Sequence, residues 1–124
     1  MDQVDERHLR RAIAVSMPAR SNGNHPFGAI LVNPQGYVVA DAENSVIVDS
    51  DVTAHAETNL VRIATHQWAP DELAGYTLYS SCEPCAMCSG AIFWAGIGRV
   101  VFALSVEGLM TVFDNRPDAP LHAI

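Results

Sequence analysis

The chain reads as one α/β domain, and three observations predict it. Strand and helix patterns alternate through the second half, from Tyr76–Ser80 through Cys85–Ala95 to Arg99–Leu104, as expected when helices layer onto a sheet. Of the 124 residues 49% are apolar, enough for one sizeable core. No repeat, low-complexity tract or linker divides the sequence, so residues 1–124 are expected to form a single unit.

Taken in order, Asp5–Met17 has Leu9, Ile13 and Met17 at helical spacing, with Ala12 and Ser16 beside them. Asp5 and Glu6 suit the first turn of that helix, and Pro18 is expected to help end it. Ser21–Pro26 is loop chemistry. Phe27–Val32 reads as a buried strand, Asn33–Gly36 as a turn and Tyr37–Asp41 as a second strand, which makes a hairpin. Asn44–Asp51 fits either strand or loop. Thr53 can N-cap a helix from Ala54 to about Gln67, with Leu60, Ile63 and Ala64 on its apolar face; Pro70–Gly75 breaks it. Tyr76–Ser80 is a third strand. Pro84 suits the first turn of a helix over Cys85–Ala95, Gly96–Gly98 ends that helix, and Arg99–Leu104 is a fourth strand. Beyond Ser105 the pattern weakens: Leu109–Phe113 fits a short helix, while Pro117 and Pro120 favour irregular chain.

Charge narrows the partners. Fourteen acidic residues face seven basic ones for a net charge of −7, and all seven bases are arginine. With no lysine, Schiff-base and P-loop lysine chemistry are excluded. The acidic balance disfavours nucleic acid and leaves a small neutral substrate. No apolar run reaches the roughly 18 residues of a membrane span, and the opening Met1–Glu6 is acidic and polar. A cytoplasmic domain with no membrane partner is expected.

The three cysteines, Cys82, Cys85 and Cys88, fall within seven residues, too tightly for a disulfide framework. Cys85 and Cys88, at i and i+3 in one predicted helix start, present two thiolates on one side, where a helix N-terminus favours the thiolate form. His55 opens another helix. One imidazole and two thiolates are three protein ligands for tetrahedral zinc, with the fourth position open, as in catalytic rather than structural sites. Glu57 is left uncommitted two residues from His55, placed to shuttle protons to and from a zinc-activated water. Cys82, at a strand end ahead of Pro84, reads as packed rather than ligating; as a fourth ligand it would close the site.

His55-Ala56-Glu57 followed by Pro84-Cys85-Ala86-Met87-Cys88 resembles the H-x-E…P-C-x-x-C signature of the zinc-dependent nucleobase and nucleoside deaminases. The surrounding words are most similar to the guanine deaminase-like bacterial members: His25-Pro26-Phe27-Gly28-Ala29, Ser80-Ser81-Cys82-Glu83-Pro84-Cys85 and Gly90-Ala91-Ile92-Phe93-Trp94-Ala95. Transfer-RNA adenosine deaminases share Ala54–Glu57 and resemble Gly98–Phe102, but usually carry a basic surface that is absent here. The resemblance runs from the first helix to Leu104. It implies a three-layer α/β/α cytidine deaminase-like fold with a central mixed sheet of five strands, a Zn2+ cofactor and a homodimer.

By the same resemblance Glu57 is the catalytic residue, and His55, Cys85 and Cys88 hold the metal. Asn44 and the Ala56 amide contact the substrate, Phe27 lines its pocket and Asp114 meets an amino group or ring N–H of a purine. Glu83 supports the site by hydrogen bonding, and Trp94 serves packing or the dimer. His25, His66 and His122 have no partner pattern and read as surface residues. The expected reaction is hydrolysis of guanine to xanthine and ammonia, a step of purine metabolism. The alternatives are another amino-heterocycle (cytosine, a nucleoside, an aminotriazine or transfer-RNA adenosine) and, from a different class, a zinc-stabilised binding domain without catalysis. Residues 105–124 depart from the family, whose members usually continue with a further strand, a helix and a tail over the active site.

Overall fold

All five residues of β1 (Gly28–Val32) are buried, because this strand is covered on both faces. Its side chains alternate between two cores, as a strand's period of two requires. Ala29 and Leu31 join Leu78, Leu60, Ala64 and Ile92 on one side; Ile30 and Val32 join Leu9, Ala12 and Tyr79 on the other. The computed structural model describes residues 2–105, 107 and 108. In chain order it contains α1 (Gln3–Ser21), β1, β2 (Val38–Glu43), α2 (Val46–Asp49), α3 (Ala56–Gln67), α4 (Pro70–Leu73), β3 (Thr77–Cys82), α5 (Ala86–Ala95) and β4 (Arg99–Leu104).

The sheet runs β2-β1-β3-β4. β1 is antiparallel to both β2 and β3, while β4 lies parallel to β3, so the sheet is mixed. The parallel pair needs a crossover, and α5 supplies it. With α1 on one face and α3 and α5 on the other, the domain has the three layers expected of it. Four strands fall among the described residues; the expected fifth is not among them.

Several local expectations are corrected. Pro18 lies inside α1, which continues to Ser21. The ring removes the hydrogen bond to Ala14, whose exposed position lets water replace it. The buried stripe of α1 is Asp5, His8, Leu9, Ala12, Ser16 and Ala19, whereas Ile13 and Met17 face solvent. Small residues are needed there because the helix lies directly on the β1 backbone. A Cβ at Gly28 would stand 2.6 Å from the Ser16 nitrogen and 2.7 Å from the Ala12 carbonyl oxygen. Ile63 likewise points outward. Thr53 does not cap α3: its backbone N–H and hydroxyl both donate to Asp51 Oδ1, at 2.8 and 2.7 Å, and His55 is the N-cap instead. Pro84 precedes the α5 N-cap, which is Cys85. Residues 44–51 contain the short α2, and Pro70 starts α4 rather than only ending α3. Leu109–Phe113, Asp114, Pro117, Pro120 and His122 lie outside the described residues.

Candidate metal centre and active site

His55 and Cys85 are the N-caps of α3 and α5, and neither side chain caps its own helix. Each is therefore free to turn away from its helix end. The His55 Nδ1 lies 3.5 Å from Cys85 Sγ and 3.5 Å from Cys88 Sγ. The three donor atoms fall within 4.8 Å of one another, the only such group found among the described residues.

The donor set fits zinc. Zn–N and Zn–S bonds of usual length at a tetrahedral angle place nitrogen and sulfur about 3.6 Å apart, close to the separation seen here. Glu57 is 6% exposed beside the cluster. Burial raises the Glu57 carboxyl above the ordinary value, while its own backbone N–H and the Cys88 thiol pull it partly back. Cys88, fully buried, is held well above the usual thiol range by burial and then by the charge of Glu57. A cation among these groups would reverse that balance.

Cys82 stands apart from the three-atom group. It pairs with Leu104 across β3 and β4, and its thiol is raised by burial first and by Glu57 second.

The loops between β1, β2 and α3 place Asn44, which is 2% exposed. Its backbone N–H donates to Phe27 O at 3.0 Å and its Oδ1 accepts from Val46 N–H at 3.1 Å, leaving the amide nitrogen for another partner. Asn59 of α3 fastens the same turn by donating to Glu43 O at 2.9 Å and Ser45 Oγ at 3.0 Å. Asn24 accepts from Ile47 and Val48 N–H at 3.1 and 3.0 Å and so seats α2. Ser81 Oγ accepts from Gly28 N–H at 3.1 Å, pinning β1 beside the end of β3. Sequence reasoning missed Asn24, Asn59 and Ser81. Most of their partners lie more than a dozen residues along the chain, where no spacing gives a signal.

Ala56 is buried as the first residue of α3, where backbone N–H groups lack helical partners. Phe27 is half-buried and packs against the core on the α3 side of the sheet. The Glu83 backbone N–H donates to Leu104 O at 2.7 Å. Phe93 and Trp94 project from α5 with 71% and 81% exposure, their rings edge to face at 5.3 Å. Asp114 is outside the described residues.

Residues 2–104 match the family model of the cytidine and deoxycytidylate deaminase zinc-binding region. A probable cytosine deaminase of Schizosaccharomyces pombe is 47% identical over 120 residues, covering 97% of this chain and 72% of that protein. The guanine deaminase of Bacillus subtilis is 39% identical over 99 residues, covering 79% of this chain and 63% of its own length. A crystal structure of guanine deaminase from that organism superposes with a TM-score of 0.78 and 30% identity, covering 100% of this chain and 86% of the other. A tRNA-specific adenosine deaminase of Haemophilus influenzae is 38% identical over 103 residues, 83% of this chain and 60% of its own. The chain thus spans less than two thirds of two of these three relatives.

Proposed function

The chain belongs to the zinc-binding cytidine and deoxycytidylate deaminase family, and from that premise we propose that it hydrolyses the amino group of a free nucleobase, guanine, giving xanthine and ammonia. The observation that carries the reading is the buried Glu57 beside the His55, Cys85 and Cys88 donors at the mouths of two helices. Supporting guanine are the resemblance around Pro26–Ala29 and Ser80–Cys85, and the likeness over the whole chain to a guanine deaminase.

His55, Cys85 and Cys88 would hold the zinc, which would supply Lewis acidity toward a water nucleophile near neutral pH. Glu57 accepts the proton of the attacking water and passes it to a ring nitrogen, then takes the proton of the newly added hydroxyl and delivers it to the departing amine. Its place, 6% exposed beside the three donors, keeps bulk water from competing for the proton it carries. The Asn44 amide nitrogen donates to a ring acceptor, and the Ala56 N–H donates to the substrate or to the charge developing on it. Phe27 supplies an apolar wall to the ring. Asp114 is assigned to an amino group or ring N–H of the purine. The enzyme works as a cytoplasmic homodimer through α5. No described helix is long and apolar enough to cross a membrane.

A second reading, cytosine as substrate, is favoured by the 47% identity to a probable cytosine deaminase. Ammonia release from zinc-loaded protein, measured on guanine, guanosine, adenine, adenosine, cytosine, cytidine and an aminotriazine, separates these readings. Glutamate-dependent turnover of guanine alone is expected. Turnover of cytosine alone replaces the substrate and keeps the chemistry, whereas silence from the zinc-loaded protein overturns the enzymatic reading.

A further inference from the structure

Two threonines of α3 treat their hydroxyls differently. Thr65 donates to Val61 O four residues back, at 2.9 Å, the usual habit of a helical threonine. Thr58 does not. It lies in the first turn, and the carbonyl four residues before it, Ala54 O, already accepts from Ser45 N–H at 2.9 Å. Its Oγ1 instead crosses to α5 and meets Cys88 Sγ at 3.2 Å. Cys88 is fully buried, so water does not compete for the sulfur.

We infer that Thr58 is a positioning residue of the metal centre: its hydroxyl donates to the Cys88 thiolate, fixes that sulfur's direction and lowers its electron donation to the metal. The inference rests on the reading that Cys88 ligates zinc. A thiol and a hydroxyl can each donate to the other, but a metal-bound thiolate has no proton, so only Thr58 can then be the donor. Charge-assisted donation to a ligand atom is the kind of outer contact that orients and tunes metal sites. The two thiolates are thereby unequal. Both sulfurs meet His55 Nδ1, but Cys85 is half-buried whereas Cys88 is fully buried and carries a hydroxyl donor. Two thiolates blunt the acidity of a metal, and a donor on one of them restores part of it. The threonine hydroxyl thus acts through the sulfur, without touching substrate.

The test uses the whole chain loaded with Co(II), whose thiolate-to-metal charge-transfer bands report the donor strength of sulfur. Thr58→Val keeps the shape and removes the oxygen; Thr58→Ala and Thr58→Ser differ by that oxygen and carry the comparison should valine not fold. Expected for Thr58→Val and Thr58→Ala are charge-transfer bands shifted to lower energy, and metal affinity weaker by about 10-fold or more in chelator competition. Thr58→Ser returns both toward wild type. Wild-type band positions with affinity within about twofold in the variants lacking the hydroxyl, beside a wild type with clear thiolate bands, would overturn the inference alone. A wild type that shows no cobalt–thiolate bands would overturn the metal reading beneath it.

Discussion

His55 and Cys85 occupy the same position, the N-cap, of two different helices, and their ring nitrogen and sulfur meet 3.5 Å apart. An N-cap side chain normally bonds back to its own helix. Neither does so here, so the backbone at each site is set by the helix start while the side chain is spent on the partner. The arrangement joins α3 and α5, the two elements of one layer, at their N-termini. Removing either residue leaves two donors, too few for tight zinc. His55→Ala and Cys85→Ser are therefore expected to lower zinc from one per chain to a small fraction by elemental analysis, with deaminase activity lost in proportion. Full zinc in both variants would exclude the assigned ligand set.

Glu57 should separate metal binding from turnover. Its carboxyl is nearly fully buried and raised by that burial, which means the charged form is disfavoured where it sits. Glu57→Gln keeps the size and removes the proton carrier. Zinc content is expected to stay at the wild-type level while the rate of ammonia release falls by about 10²- to 10⁴-fold, the usual contribution of a general acid–base group. The apoprotein variant should melt no lower than wild-type apoprotein, since a neutral amide is easier to bury than a carboxylate. Wild-type-like turnover at full zinc would remove Glu57 from the chemistry.

How much of this was legible in the sequence follows the range of the forces involved. The β4 strand lies over Arg99–Leu104 as read, because an apolar run behind Gly96 and Gly98 is a local signal. His55, Glu57, Cys85 and Cys88 stood out because metal ligands and their spacing leave a short-range trace. Most of what escaped reading depends on distant chain, with Thr53 the local exception. Ile13 and Met17 have helical spacing with Leu9, yet the contact surface is β1, whose Gly28 admits only backbone and small residues. Thr53 looked like the cap of α3, but Asp51 two residues earlier captures both its donors. Thr58 reads as an ordinary helical residue; only the packing of α3 against α5 brings its hydroxyl to a cysteine thirty positions on.

The exposed aromatic pair on α5 gives the oligomeric state a test. Phe93 and Trp94 pack against each other edge to face, and solvent reaches most of both rings. Large exposed aromatics side by side are unfavourable in water and enriched at interfaces. Light scattering is expected to give twice the 13.4 kDa chain mass for the wild type. Trp94→Asp should shift the protein toward the single-chain mass at micromolar concentration, with its far-ultraviolet circular dichroism unchanged. A wild type that stays at the single-chain mass at the highest soluble concentration would rule the homodimer out.

A buried polar cluster on the other face of the sheet predicts how stability depends on pH. Asp5 of α1, 5% exposed, accepts from Arg99 Nη1 of β4 at 2.8 Å and from the Tyr79 hydroxyl of β3. These bonds, Arg99 first and Tyr79 second, hold the Asp5 carboxyl well below the ordinary carboxylate range. A lowered folded-state pKa makes the stabilisation fully present above the unfolded value, 3.8, and lost as pH falls through the folded one. Tyr79 has the opposite sign. Burial and then Asp5 push its phenol from 10.0 up to about 12, so its share is present below pH 10 and lost as pH rises through 12. Asp5→Asn should destabilise the fold at pH 7 by about 1–3 kcal/mol, the smaller end reflecting the half-exposed guanidinium of Arg99. Urea midpoints of the variant and the wild type, measured from pH 7 downward, are expected to converge below about pH 4. Tyr79→Phe is expected to flatten the alkaline limb between pH 10 and 12 while leaving the acid limb steep. A constant gap between Asp5→Asn and wild type across the acid range would mean that the network adds packing without linked ionisation.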